Sequence, residues 1–412
     1  MNTTSAPGTD APSADLPDYP MTRAAGCPFD PPPALYTLQA QAPISRVRLW
    51  DGSTPWLVTR YEDQRALLAD PRISADSTHP HYPHPGPGQK ERRTQSRAFI
   101  AMDDPEHARL RRMATAAFAI KHVEALRPAI QKIVDGLIDA MLAGPKPVDF
   151  VQAFALPVPS LVICELLGVP YADHDFFQSN SKTLTKRTIT REQARAATQR
   201  LVDYLDGMIG DKLAHPAHDL LSTLAERVRA GELSRHEAAN TGVLLLTAGH
   251  ETTANMIALG TLTLLQHPDQ LTRLRESRDP QLVASAVEEL LRYLNIVHSG
   301  RRRVALEDIE IGGVTIRAGD GVILANDIGN RDPAAFPDPD RLDVGRNPRH
   351  HVAFGFGVHQ CLGQPLARVE LQAVYSTLYR RIPTLQVAVD LDDIPFKHDG
   401  LVYGVYELPI TW

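Results

Sequence analysis

Cysteine is scarce in this chain: 412 residues contain three, Cys27, Cys164 and Cys361. So odd and scattered a set excludes a disulfide framework and fits a reducing compartment, so a cytoplasmic location is expected. Long apolar runs are missing too. None approaches the ~18 residues that span a bilayer, and no basic segment followed by an apolar stretch opens the chain. Neither a membrane anchor nor a secretory leader is therefore expected. A net charge of −6 gives no global attraction to nucleic acid or anionic lipid. There is no internal repeat, and no linker separates two cores. What is present, 43% hydrophobic and 22% charged residues, is ordinary for a globular chain with a sizeable core.

The first 33 residues are rich in Pro, Ser, Thr and Asp, and residues 1–20 are expected to be disordered, with one domain over 21–412. Ser45–Leu49 and Trp56–Thr59, around Asp51-Gly52, predict a hairpin, and a helix should begin near Tyr61. Pro80, Pro83, Pro85 and Pro87 exclude a regular element over 76–89. His79, His81 and His84 in that loop are read as solvated rather than metal-ligating. Helical patterning dominates beyond Pro105, over 105–119, 122–143, 157–168, 192–214 and 218–229. Ser234 with Glu237 forms a capping box that opens a helix running to His267-Pro268. That is about 33 residues, or on the order of 50 Å at 1.5 Å per residue. A helix over 280–294 and a hairpin around Gly312-Gly313 follow. The expected fold class is mainly α: a single large domain with a long central helix and small β-sheets.

Within the long helix, apolar runs flank Ala248-Gly249-His250-Glu251-Thr252-Thr253. Glycine costs about 1 kcal/mol in a helix interior, and threonine can bond back to the preceding turn and bend the helix. A carboxylate beside a hydroxyl at such a place suits proton delivery to a ligand in an apolar pocket. Glu289 and Arg292 stand three apart on one helix face. A further arginine from the charged loop before residue 354 is expected to join them in a buried network.

Cys164 sits in an apolar helical stretch and reads as a small buried hydrophobe, and Cys27 as a structural or surface residue. Cys361 is the chemical candidate, in Phe354-Gly355-Phe356-Gly357-Val358-His359-Gln360-Cys361-Leu362-Gly363. Gln360 occupies the third glycine position of a dinucleotide fingerprint, and no βαβ context surrounds it. A zinc site would need more ligands than His359. A Cys–His nucleophile stays open, and so does a haem thiolate. The helix after Cys361 would place the sulfur at a helix N-terminus, where the thiolate is favoured.

Phe354, Gly357, His359, Cys361 and Gly363 together resemble the haem-binding loop of the cytochrome P-450 monooxygenases. Ala248-Gly249-His250-Glu251-Thr252 is similar to that family's oxygen-activation motif, Glu289-Leu290-Leu291-Arg292 to its E-x-x-R, and Pro339-Asp340-Arg341-Leu342 to its P-x-R-F, with Leu342 in place of the aromatic and Arg341 implied as the further arginine of the network. The motifs stand in the family's order, and the match is nearest to bacterial members of actinomycete secondary metabolism.

The resemblance implies haem b with Cys361 as the proximal thiolate. It implies that His107 and Arg111 hold one propionate and Arg303 and His359 the other, with Arg301 and Arg302 as competing assignments. Ala248, Phe354, Gly355 and Gly363 would lie against the macrocycle. Glu251 would relay protons, and Thr252 would hold one at the oxygen being activated. The implied reaction uses O2 and two electrons to hydroxylate or epoxidise a hydrophobic or amphipathic small molecule. Flavin, nicotinamide and iron–sulfur fingerprints are missing, so a ferredoxin and an NAD(P)H-dependent ferredoxin reductase are the expected partners. Arg109, Arg111, Arg112 and Lys121 are candidates for their docking surface. A monomer is expected, with no nucleic acid or membrane partner. A non-catalytic haem sensor or carrier is the alternative, and a cysteine hydrolase a third reading. Residues 76–89 and 173–195 are expected to wall the pocket as a lid.

Overall fold

The structure, a computed structural model, describes residues 16–412 apart from Ser96. The long helix is Arg235–Leu265, and both halves of its capping box form: Glu237 N–H donates to Ser234 Oγ, and Ser234 N–H to Glu237 Oε2. Its apolar residues face all round rather than along one stripe, which requires packing on every side. Helices Pro157–Leu167, Arg191–Ala214 and Gln364–Arg381 supply that cover. The expected helices appear at Glu106–Thr115, Ile120–Ala143, Leu220–Arg229 and Pro280–Leu294 as well. Mainly helical packing around one central helix is the outcome.

The sheets are small. Five short strands lie in the order Ile44–Arg46, Trp56–Val58, Gly321–Leu324, Arg301–Ala305 and Ile73–Ser74. Ile44–Arg46 and Trp56–Val58 form the expected hairpin. Arg301–Ala305 runs antiparallel to Gly321–Leu324 with Arg302 opposite Ile323. Side chains alternate across a strand, so Arg301 and Arg303 face one way and Arg302 the other. Gly312 and Gly313, both at positive φ, turn the Ile309–Ile311 and Val314–Ile316 hairpin. Val148–Asp149, Pro409–Thr411 and Gln386–Val387 make a third sheet.

Two expectations need correcting. Of residues 1–20, 1–15 lie outside the described residues, yet Asp18 bridges to Arg48 and Tyr19 is buried. Further along, the supposed loop 76–89 ends in a helix, Pro87–Gln95. Proline is tolerated at the first helical position, where its missing N–H has no intrahelical role. The amide of Gln89 donates to the carbonyls of Leu184 (2.9 Å) and Lys186 (2.9 Å). Gly88 lies so close to Ile189 that any side chain would collide there. The two expected pocket-wall segments are thus in contact, through helix His174–Leu184 and the turn after it.

Candidate active site

Cys361 lies between a 3-10 turn, Gly357–His359, and the helix Gln364–Arg381. Its N–H donates to the Phe354 carbonyl at 2.9 Å, closing the loop. Burial pushes the thiol pKa up, while Arg301, the Gly363 N–H, Arg111 and Arg368 pull it down. A bound metal cation would settle the balance for the thiolate. The glycines act differently from the expected cradle. Gly355, at φ +74°, leaves room for the Arg301 guanidinium, and Gly357, at φ +71°, for the Leu68 carbonyl. Gly355 does not line the cavity above the thiol, whereas Phe354, His359 and Gly363 do.

That cavity holds about 420 Å³, walled by apolar side chains including Leu244, Leu245, Ile296, Val297, Leu401 and Val402. Cys361, from the loop before helix Gln364–Arg381, and Ala248, Gly249 and Thr252, from the long helix, all line it. Basic groups gather at one edge. The rings of His107 and His359 approach to 4.1 Å, and Arg111 donates to the Gln360 carbonyl at 2.6 Å. Arg303 lines the cavity and donates to the Arg302 carbonyl at 2.7 Å. Arg301 donates to the Ala353 carbonyl at 2.9 Å, and Arg302 to that of Pro83 at 2.6 Å. Burial and the charges of Arg303, His107 and Arg111 depress His359 to about 3. Asp104, paired with His107 Nδ1 at 2.9 Å, is held below the usual carboxylate range by that hydrogen bond.

The long helix stays regular through its polar segment. Thr252 Oγ1 donates to the Ala248 carbonyl at 2.7 Å, and His250 is buried with Nδ1 2.7 Å from the Leu246 carbonyl. Glu251 turns behind the cavity wall toward Lys397, whose Nζ stands 3.7 Å from Oε2. Asn255 links the two: its amide donates to the Glu251 carbonyl at 2.6 Å and accepts from Lys397 at 3.0 Å. Burial lowers the Lys397 pKa, and Glu251 works against that shift. Neither Lys397 nor Asn255 carried a sequence signal, since Lys397 lies far from the helix in the chain.

Glu289 and Arg292 form a fully buried pair at 2.8 Å. The third member is Arg346, 3.1 Å from Glu289, and not Arg341, which is exposed. Arg346 also donates to the Arg341 carbonyl, so the motif supplies backbone where a side chain was expected. A second bridge escaped sequence reading. Glu288 accepts from Arg368 at 2.6 Å and lies 3.1 Å from His351 Nε2. Against the cost of burial, these partners hold its pKa at about 2. Arg368 in turn covers the Phe354 ring at 4.7 Å, which ties the thiol loop to the helix Pro280–Leu294.

Of the other cysteines, Cys164 is buried, with its thiol pushed up to about 12 by burial, and Cys27 is exposed. No group of three metal-ligating side chains occurs among the described residues. The donor set suits a flat, dianionic-edged cofactor. Among the described residues the buried His107 Nε2 and Arg301 Nε have no hydrogen-bond partner, near a largely apolar cavity that Cys361 and Arg301 line.

The cytochrome P450 family model matches residues 45–401. The chain belongs to the cytochrome P450 family. It is 56% identical over 403 residues to cytochrome P450 GfsF of Streptomyces halstedii, spanning 97% of each. The crystal structure of GfsF superposes with a TM-score of 0.91 over 96% of this chain and 100% of that one. Pentalenic acid synthase of Streptomyces avermitilis is 51% identical over 94% of this chain and 95% of that protein. The mycinamicin VIII C21 methyl hydroxylase MycCI from Micromonospora griseorubida, solved with mycinamicin VIII bound, is 43% identical with a TM-score of 0.90, covering 96% and 100%. This cytochrome P450 is thus a haem-thiolate monooxygenase, and Cys361 is its proximal thiolate. Among the described residues no helix is long and apolar enough to cross a membrane.

Proposed function

We propose that this P450, folded as one domain from the Asp18–Arg48 bridge onward, hydroxylates or epoxidises an apolar or amphipathic small molecule of secondary metabolism. It takes oxygen from O2 and two electrons from a ferredoxin and its NAD(P)H-dependent reductase, acting as a cytoplasmic monomer. The carrying observation is that Cys361 and Thr252 line one largely apolar cavity. The relatives' names support the compound class: one is solved with mycinamicin VIII bound, and another is named as the synthase of pentalenic acid.

When bound, haem supplies an electron-rich iron whose thiolate ligand favours O–O cleavage. The chain's own residues bind and orient it. His107 and Arg111 would hold one propionate, and Arg303 and His359 the other, by charge-assisted hydrogen bonds. Phe354, Gly363 and Ala248, which line the cavity, would lie against the ring, while Gly355 serves by admitting Arg301. Thr252 holds a proton at the reacting side of the cavity. Glu251, anchored by Lys397 and Asn255, carries protons in from behind the wall. Apolar walls exclude water from the reacting atoms.

Of the basic residues considered for partner docking, Arg109 is spent on Glu106 and Glu237, and Arg111 points inward. Arg112 and Lys121 stay exposed, as do two apolar side chains, Ile120 beside Lys121 and Val358 in the Cys361 loop. A mixed basic and apolar surface of this kind suits an acidic ferredoxin.

The test is a reconstituted assay with ferredoxin and reductase, screening compounds first by the substrate-induced spin shift of the haem iron. A compound that shifts the spin state should accelerate reductant consumption and return with one added oxygen atom. Binding without reductant consumption would instead support the sensor or carrier.

A further inference from the structure

Six arginines line the cavity: Arg92, Arg93, Arg111, Arg301, Arg302 and Arg303. The haem's two propionates can neutralise two of them. Four of the six donate to protein carbonyls, as described above, and Arg93 lies 5.8 Å from the centre of the Tyr82 ring. Arg92 differs from these. Among the described residues it has neither a hydrogen bond nor an ion pair, and the one charge acting on it is the repulsive one of Arg93. The adjacent carboxylate, Glu91, is held by Arg195 at 2.7 Å. Among the described residues the single carboxyl lining the cavity, Glu370, has its pKa raised well above the ordinary value by burial, and does not act on Arg92.

Arg92 is half-buried, and an unpaired cation partly withdrawn from water is costly; burial lowers its pKa to about 10, which still leaves it charged at neutral pH. Its position is fixed, because the helix Pro87–Gln95 is pinned by Gln89 and by the close approach of Gly88 to Ile189. Two cations of the pocket-wall segment 173–195 are engaged elsewhere. Lys182 lies 5.6 Å from the centre of the Tyr406 ring, and Arg187 donates to the His398 carbonyl.

We propose that Arg92 is a specificity-determining contact for a carboxylate on the substrate, so that this enzyme takes amphipathic carboxylic acids, acid group at the Pro87–Gln95 helix and apolar body across the cavity. The inference rests on the monooxygenase reading and adds the substrate's charge. A planar guanidinium fork matches a carboxylate with two parallel hydrogen bonds, which an ester cannot reproduce.

The haem-loaded enzyme is titrated with two acid and methyl-ester pairs, dodecanoic acid with methyl dodecanoate and abietic acid with methyl abietate. Binding is followed by the spin shift and by calorimetry. In at least one pair the acid should bind roughly tenfold or more tightly than the ester. Arg92→Gln should bring that ratio near one with ester affinity unchanged, and Arg93→Gln should preserve it. Lack of acid preference in both pairs, a preference that survives Arg92→Gln, or one lost with Arg93→Gln instead would overturn the proposal. So would loss of haem from Arg92→Gln, which would place the guanidinium at a propionate. A normal carbon monoxide spectrum alongside any of these results leaves the monooxygenase reading standing; its absence in the parent enzyme would remove both.

Discussion

Glu251 and Lys397 meet at 3.7 Å behind the cavity wall, and Asn255 bonds to both from one turn further along the central helix. The carboxylate next to Thr252 is therefore tethered rather than free in the cavity. Lys397→Met removes the tether but touches neither haem nor thiol. We expect substrate oxidation to fall roughly tenfold, a part of the 10²–10⁴ that a positioned proton-transfer group contributes. Peroxide release should rise, with the carbon monoxide spectrum unchanged. Lys397→Arg should recover most of the loss. Equal coupling in the Met variant and the parent would leave Lys397 with a packing role alone.

Thr252 bonds to its own helix through Oγ1 at 2.7 Å and lines the same cavity as Cys361. Thr252→Ala should leave substrate binding and reductant consumption near the parent's level while most of the electrons emerge as peroxide. Thr252→Ser, which keeps the hydroxyl, should stay largely coupled. The ratio of product to NAD(P)H consumed measures this directly, and a fully coupled Ala variant would exclude the hydroxyl from proton handling.

Cys361 is the sole sulfur of its loop, and His359 cannot take its place from beside His107. Cys361→Ser should abolish the thiolate-type carbon monoxide band of the reduced protein. If the band persisted, another residue would have to be the ligand.

The Glu289–Arg292 pair is fully buried, and Arg292 also donates to the carbonyls of Asn330 (2.9 Å) and Pro339 (2.8 Å). Removing one partner strands a buried charge, so Arg292→Met should destabilise the protein by about 3–5 kcal/mol. The yield of haem-loaded protein should drop with it. Arg341→Ala, at an exposed position, should stay within about 0.5 kcal/mol of the parent. Urea unfolding of the two variants separates the alternatives, and a large effect at Arg341 would contradict the observed network.

Arg341 also shows where sequence reading stops. Local signals carried far: the Ser234 capping box, the Gly312-Gly313 turn and the spacing of Glu289 with Arg292 each depend on residues a few positions apart, and each formed. Contacts made through folding carried no such signal. Which arginine reaches Glu289 depends on the path of the loop over 339–346, and Lys397 reaches Glu251 from a turn 146 positions later. The helix Pro87–Gln95 was hidden because proline density reads as loop, although Pro87 begins it. The roles of Gly355 and Gly357 needed the positions of Arg301 and Leu68.

Glu370 lines the cavity wholly buried, its Oε2 has no hydrogen-bond partner, and burial raises its pKa well above the ordinary range. The folded protein therefore keeps a proton on this carboxyl that the unfolded chain releases above its ordinary pKa near 4.5. Between that value and the raised one, the folded state binds more protons, so stability falls as pH rises. Glu370→Gln keeps the shape and cannot ionise. It should be more stable than the parent at pH 8, and the difference should shrink toward pH 4.5. Thermal unfolding of both proteins over that range checks the sign. A Gln variant less stable than the parent at pH 8 would mean that the carboxylate is ionised in the fold and has a partner.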